Sequence, residues 1–199
     1  MRPMNCCIVV LAAGAGTRFQ GAGHKLDGRL GDASVLARTL HNALSTDLRV
    51  LLVISRRLQD AMTDRLPDCD RVVVDPDANP GWGMADSIAA GVARSRDAAG
   101  WLVLPGDMPF VCPDSIVRVS QGLREHAVAQ ARHDGRRGHP VAFRSELRDD
   151  LLALTGDEGA RSVVARHAGI AVDLDDPGVL QDIDTLADLA AARRRLAAG

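Results

Sequence analysis

The stretch Ile8-Val9-Val10-Leu11-Ala12-Ala13-Gly14-Ala15-Gly16-Thr17-Arg18-Phe19, with a lysine at Lys25, decides how this chain is read. An uninterrupted apolar run opens into small residues and two glycines, so a buried strand leads into a loop whose backbone amides can approach an anion. Arg18 and Lys25 add fixed positive charge to the same loop, which suits a polyphosphate. A plain strand-to-helix turn would look similar but has no use for both cations.

Two familiar phosphate loops fail at the residues that carry their chemistry. A dinucleotide fingerprint needs a third glycine where Phe19 stands, and an acidic residue about 20 positions further on. The next apolar run, Val50 to Ile54, ends instead in Ser55-Arg56-Arg57. A P-loop needs Gly-Lys-Ser/Thr, whereas Lys25 lies between His24 and Leu26.

Around that loop, apolar runs alternate with helical periodicity, the mark of a three-layer α/β domain with a largely parallel sheet. Strands are expected at Cys6 to Leu11, Val50 to Ile54, Arg71 to Val74, Trp101 to Leu104, Val128 to Arg132 and Ile170 to Leu174. Helices are expected after Ser34 as N-cap, over Leu58 to Leu66, from Met84, and from Asp114 or Ser115. Gly91 should let the Met84 helix approach the sheet closely. His133 to Gly138 reads as a turn, so His139 to Phe143 should return antiparallel and make the sheet mixed. Helices over Ser145 to Leu154 and Glu158 to His167 follow, and Asp184 or Thr185 caps a last helix.

The 199 residues fit one domain, 1–199, long enough to bury roughly 70% of the unfolded surface. Apolar residues are 46% and charged residues 25%, usual for a soluble globular chain. A net charge of −2, no Tyr, three Phe and two Trp argue against nucleic acid as a partner. Four cysteines without paired metal spacing, two of them inside the first strand, point to a reducing cytoplasmic setting. The run Cys6 to Ala13 is too short to span a membrane, and no signal peptide is recognisable at Met1.

The loop spells L-A-x-G-x-G-x-R followed by a lysine, and in this it resembles the MobA/MocA-like nucleotidyltransferases, which activate molybdopterin with a nucleotide. Ala13 resembles the cytidylyl branch, since the guanylyl branch usually has glycine there. Lys25 stands further from Arg18 than is usual in the family. Further motifs follow in the family's order along nearly the whole chain. The resemblance implies a Rossmann-like nucleotide-diphosphosugar transferase fold, in three α/β/α layers with a mixed, mostly parallel sheet. It implies that Leu11, Ala12, Ala13, Gly14, Ala15, Gly16, Thr17, Arg18 and Lys25 hold the nucleotide, with Arg18 and Lys25 on the leaving pyrophosphate.

Asp107, in Leu104-Pro105-Gly106-Asp107-Met108-Pro109, follows the fourth strand at the carboxyl edge where open α/β sheets bind ligands. The matching family element carries a metal-binding aspartate. In Asp182-Ile183-Asp184-Thr185 the family's first aspartate reaches the metal, which implies Asp182, leaving Asp184 to cap the last helix or support the site. Magnesium suits such a pair, because it binds one or two carboxylates and completes its octahedron with phosphates and water. Gly81, Gly83 and Ser87 resemble the segment that touches the base, and Asp77 and Asn79 lie close enough in sequence to touch ribose or acceptor. Gly138-His139-Pro140-Val141 resembles the acceptor-side strand, with Arg136 and Arg137 steering an anion. Gly156-Asp157-Glu158-Gly159-Ala160-Arg161 implies a further acceptor contact at Arg161.

The implied reaction is CMP transfer from CTP to the phosphate of molybdopterin with Mg2+. GTP, or a sugar or polyol phosphate acceptor, stays open. So do an NAD(P)-dependent oxidoreductase and a cofactor carrier serving a molybdenum hydroxylase. A monomer or weak homo-oligomer is expected.

Overall fold

A computed structural model describes residues 4–14, 19, 23–79 and 81–198. Ala15, Gly16, Thr17 and Arg18 therefore lie outside the described residues, and with them half of the expected phosphate loop.

Nine strands and seven α-helices are described. The strands are β1 (Cys6–Ala12), β2 (Arg29–Leu30), β3 (Ala33–Ser34), β4 (Arg49–Ser55), β5 (Asp70–Val74), β6 (Gly100–Pro105), β7 (Val128–His133), β8 (Arg136–Arg144) and β9 (Gly169–Asp173). The helices are α1 (Val35–Leu44), α2 (Arg56–Met62), α3 (Met84–Arg94), α4 (Pro113–Gly122), α5 (Arg148–Leu152), α6 (Arg161–Arg166) and α7 (Leu186–Ala198).

Seven strands form one sheet in the order β5-β4-β1-β6-β8-β7-β9, and β2 pairs with β3 as a short ribbon. Only β8 runs against its neighbours; the pairs β1–β4, β1–β6, β4–β5 and β7–β9 are parallel. This is the mixed, mostly parallel sheet that the sequence calls for. The cause is local: Asp134 and Gly135 adopt φ of 46° and 74°. Two left-handed residues match the twist of a tight hairpin, so both strands run on to within two residues of each other. The turn is thus shorter than the expected His133 to Gly138, and β8 begins at Arg136 rather than His139.

Side chains of β1 alternate across the sheet. Cys6, Ile8, Val10 and Ala12 join the cluster under α1, α2, α4 and α7, while Cys7, Val9 and Ala13 join the cluster under α3, α5 and α6. Period-two alternation with apolar residues at every position is what a strand covered on both faces requires. Gly91 explains how α3 seats so closely: a Cβ there would lie 2.4 Å from Val9 Cγ1. Ser34 caps α1 as expected, its Oγ accepting from Ala37 N at 3.1 Å.

Three expected helices come out shorter. The Leu58 to Leu66 helix is α2 over Arg56–Met62, followed by a 3₁₀ turn. The Ser145 to Leu154 segment is a 3₁₀ turn leading into α5. The Glu158 to His167 helix starts only at Arg161, because Gly159 takes φ of 60°, which no right-handed helix accommodates.

Candidate active site

β1 and β6 lie side by side, so both loops that follow them open at one sheet edge. Gly106 N donates to Leu11 O at 2.8 Å, and a Cβ on Gly106 would meet that same oxygen at 2.8 Å. Glycine thus lets the turn after β6 lean on the end of β1. From the α1 side, Thr39 Oγ1 donates to Gly106 O at 3.0 Å and Asn42 Nδ2 to Pro109 O at 3.0 Å. Asp107 therefore projects from a turn pinned at three points.

Lys25 opens a 3₁₀ turn, Lys25–Asp27, whose geometry rests on His24. His24 Nδ1 accepts from Leu26 N at 3.2 Å, and Nε2 faces the Gly14 carbonyl at 2.9 Å. A carbonyl can only accept and an amide N–H only donate, so this ring is neutral with its proton on Nε2. Burial first, and then the nearby Lys25 and Arg57 charges, push the His24 pKa below its ordinary value.

The Lys25 ammonium lies 2.6 Å from Asp107 Oδ2 and 2.6 Å from Asp184 Oδ1. These side chains are only 15%, 14% and 21% exposed. Burial alone would lower the Lys25 pKa, but the charges and hydrogen bonds of Asp107 and Asp184 outweigh it and hold the amine above its usual range. Segments far apart in sequence thus bring one cation and two acids to one point.

Of the two uses expected of Asp184, capping the last helix or supporting the site, the Lys25 contact matches the second. Thr185 caps α7 instead: its Oγ1 accepts from Asp188 N at 3.1 Å, and Asp188 Oδ2 accepts from Thr185 N at 2.8 Å. This reciprocal pair leaves the Asp184 carboxylate for Lys25. Ile183 N donates to Asp107 O at 3.0 Å, which fixes the two acid-bearing segments together. Asp182 is exposed and does not line the cleft, although its charge acts on His139.

The cleft over these groups has a volume of about 650 Å³. Of the expected nucleotide-binding residues, Leu11, Ala12, Ala13, Gly14, Lys25, Gly81, Gly83, Ser87 and Asp107 line it, and so do Asp77 and Asn79. Ser87 already uses its hydroxyl, donating to Gly83 O at 3.2 Å and accepting from Trp82 Nε1 at 3.0 Å. It shapes this wall more than it offers a free donor.

Asp86, to which no sequence pattern points, joins two loops of the lining. Its Oδ2 accepts from Gly83 N at 2.9 Å and from Gly156 N at 2.8 Å, while Ala85 N donates to Gly156 O at 2.9 Å. A Cβ on Gly83 would lie 2.2 Å from Gly156 O, so only glycine permits the two loops to touch. The motif around Asp157 is therefore welded to the motif around Gly83, and Asp157 joins the lining.

His139 and Arg161 do not line the cleft. His139 is partly buried, with a buried Nδ1 that lacks a partner among the described residues. Burial lowers its pKa, opposed by a Val103 backbone hydrogen bond and by Asp107 and Asp182, and assisted by Arg161. Arg161, Arg136 and Arg137 are exposed.

No group of three or more His, Cys, Asp or Glu among the described residues is arranged to hold a metal unaided. Magnesium bound with a triphosphate needs only one or two carboxylates. Among the described residues Asp107 Oδ1 is buried without a hydrogen-bond partner, which costs about 1–3 kcal/mol in a protein that leaves it so. An orphaned carboxylate oxygen beside a second acid is a donor set that fits a hard divalent cation. Among the described residues no helix is long and apolar enough to cross a membrane.

The chain is similar to several known proteins in sequence and in fold. The molybdenum cofactor guanylyltransferase of Burkholderia ambifaria is 29% identical over 201 residues, covering 94% of this chain and 95% of its own length. The bifunctional protein GlmU of Leifsonia xyli is 34% identical over 115 residues, 56% of this chain, and the chain spans only 23% of that relative. Rv0371c from Mycobacterium tuberculosis superposes with a TM-score of 0.81 at 27% identity, covering 98% of this chain and all of its own (100%). A manganese complex of Rv0371c superposes at 0.74, with 26% identity and coverage of 96% and 99%. The model of the MobA-like NTP transferase domain matches residues 8–171, and the chain belongs to that family.

Proposed function

We propose that this protein transfers CMP from CTP to the terminal phosphate of a molybdopterin-type acceptor, releasing pyrophosphate. The observation that carries the reading is the convergence of Lys25, Asp107 and Asp184 beneath the Gly14 end of the cleft. The guanylyltransferase relative supports the acceptor class, because it matches over nearly its full length. Ala13 supports cytosine: it lines the cleft at the position where the guanylyl branch of the family usually has glycine.

The acceptor phosphate is already an anion, so no strong general base is required. One of its oxygens attacks the α-phosphorus, a new P–O bond forms, and the bond to the β-phosphate oxygen breaks. Asp107 and Asp184 would hold the divalent cation, Mg2+ in this reading. Bound there, the cation neutralises triphosphate charge and the charge growing on the leaving group. Lys25 and Arg18 would bind the departing pyrophosphate, and the β1 loop amides would orient the phosphates. The Asp86-locked walls would position base and ribose, with Arg161 and His139 on the acceptor side. The acceptor implies delivery to a molybdenum hydroxylase after release.

Pyrophosphate release with molybdopterin and either CTP or GTP tests the reading. Turnover with CTP well above GTP is expected. A GTP preference would reassign the base, and binding of nucleotide without any turnover would favour a carrier.

A further inference from the structure

We propose that Lys25 is a resident place-holder for the divalent cation: it bridges Asp107 and Asp184 in the empty protein and moves to the triphosphate when nucleotide and metal arrive. This inference rests on the nucleotide-plus-metal reading above and adds the order and coupling of binding.

The geometry imposes a choice. Both carboxylates that would face a metal already face one ammonium, at 2.6 Å each. A metal taking that point must displace Lys25 Nζ, and without a triphosphate the amine is left in a largely buried site with no new anion. With a triphosphate it exchanges carboxylate partners for phosphate partners. Metal and nucleotide should therefore each strengthen the other's binding by the same factor.

The base of the lever is fixed while its head can move. The Lys25–Asp27 turn is tied through His24 to Gly14, and through Asp27 to Arg65 at 2.6 Å. The flexible stem of lysine then carries the ammonium between acids and phosphates without refolding the turn. Asp107 Oδ1, buried and unpartnered among the described residues while Lys25 engages Oδ2, is an acceptor that the cation can satisfy once the ammonium withdraws.

Mn2+ binding followed by electron paramagnetic resonance, with and without a non-hydrolysable CTP analogue, tests this directly. In the wild type, Mn2+ alone should bind weakly and the analogue should tighten it by ~10-fold or more. Lys25→Met should bind Mn2+ alone ~10-fold tighter than wild type and lose most of the nucleotide-dependent gain. Nucleotide-dependent Mn2+ binding in the wild type with no tighter Mn2+ binding in Lys25→Met overturns the place-holder but leaves the functional reading standing. Absence of nucleotide-dependent Mn2+ binding in the wild type overturns both. If Lys25→Met does not fold, amine acylation of wild-type Lys25, read by mass spectrometry, decides. Acylation should be slow in the empty protein, faster at saturating Mn2+, and slow again when the analogue is added; a rate unmoved by saturating Mn2+ overturns the proposal.

Discussion

The two ends of the cleft are built by different physics. Where the phosphates are proposed to bind, charged side chains from distant segments meet: Lys25, Asp107 and Asp184. Where the base is proposed to bind, the base end, backbone meets backbone, with Gly83 against Gly156 and a single Asp86 oxygen joining both amides. In the proposed exchange, the ionic end can trade one cation for another, because Lys25 carries its charge on a flexible stem anchored in a fixed turn. The base end has no such freedom, since its contacts are closer than any side chain would allow. A site that must bind a changing charge and a constant shape needs both.

The largest effect is expected at the ionic end. Asp107→Asn keeps shape but removes a charge, and turnover should fall by about 10²–10³-fold or more, as measured by pyrophosphate release. Asp184→Asn should follow it closely, whereas Asp182→Asn should be much milder. If Asp182→Asn is the more damaging of the two, the cation sits nearer the acceptor side than the Lys25 contacts indicate.

Changes at the base end should act on shape and stability first. Gly83→Ala places a methyl 2.2 Å from the Gly156 oxygen, within backbone on both sides. Overpacking of this kind costs about 1–3 kcal/mol, visible as a lowered midpoint in urea. Asp86→Ala leaves two amides without their acceptor and should cost a similar amount, about 1–3 kcal/mol. Its kinetic signature should be a raised KM for nucleotide with kcat less affected. A pure kcat defect would show that the loop contact serves chemistry rather than positioning.

The smallest effect concerns pH. His24 and His139 both have pKa values lowered from 6.5, so the folded protein binds fewer protons than the unfolded chain below that value. Stability should therefore decline as pH falls through about 6.5 and level off below the folded-state values. Lys25 works in the opposite direction and range. Its raised pKa contributes stability that is present below 10.5 and lost as pH climbs through the folded value. Denaturant midpoints from pH 5 to 7 in wild type and His24→Gln check the acid limb, which should be shallower in the variant.

The contrast also explains what was legible in the sequence. The strand Cys6–Ala12, the closeness of α3 at Gly91 and the antiparallel return of β8 follow from local pattern and turn chemistry, so they could be read directly. Asp107 was legible because its strand end, its neighbours Gly106 and Pro109, and its motif agree. Asp184 was not: an aspartate before a threonine at a helix start has two uses, and only the Thr185–Asp188 pair shows which one is taken. Asp86 was hidden for another reason. Its partners, Gly83 and Gly156, are joined by long-range contact that no spacing encodes. His24 left no signal beyond standing next to Lys25.

In the proposed function, one cleft grips a nucleoside triphosphate together with a divalent cation. Thermal unfolding with CTP, with and without Mg2+, tests it most directly. At about 100 times the dissociation constant, CTP with Mg2+ should stabilise the protein by about 2.7 kcal/mol, a rise of roughly 5–10 °C for a chain of this size. CTP without Mg2+ should give clearly less. An unchanged midpoint with CTP and Mg2+, or equal shifts with and without the metal, would contradict the account.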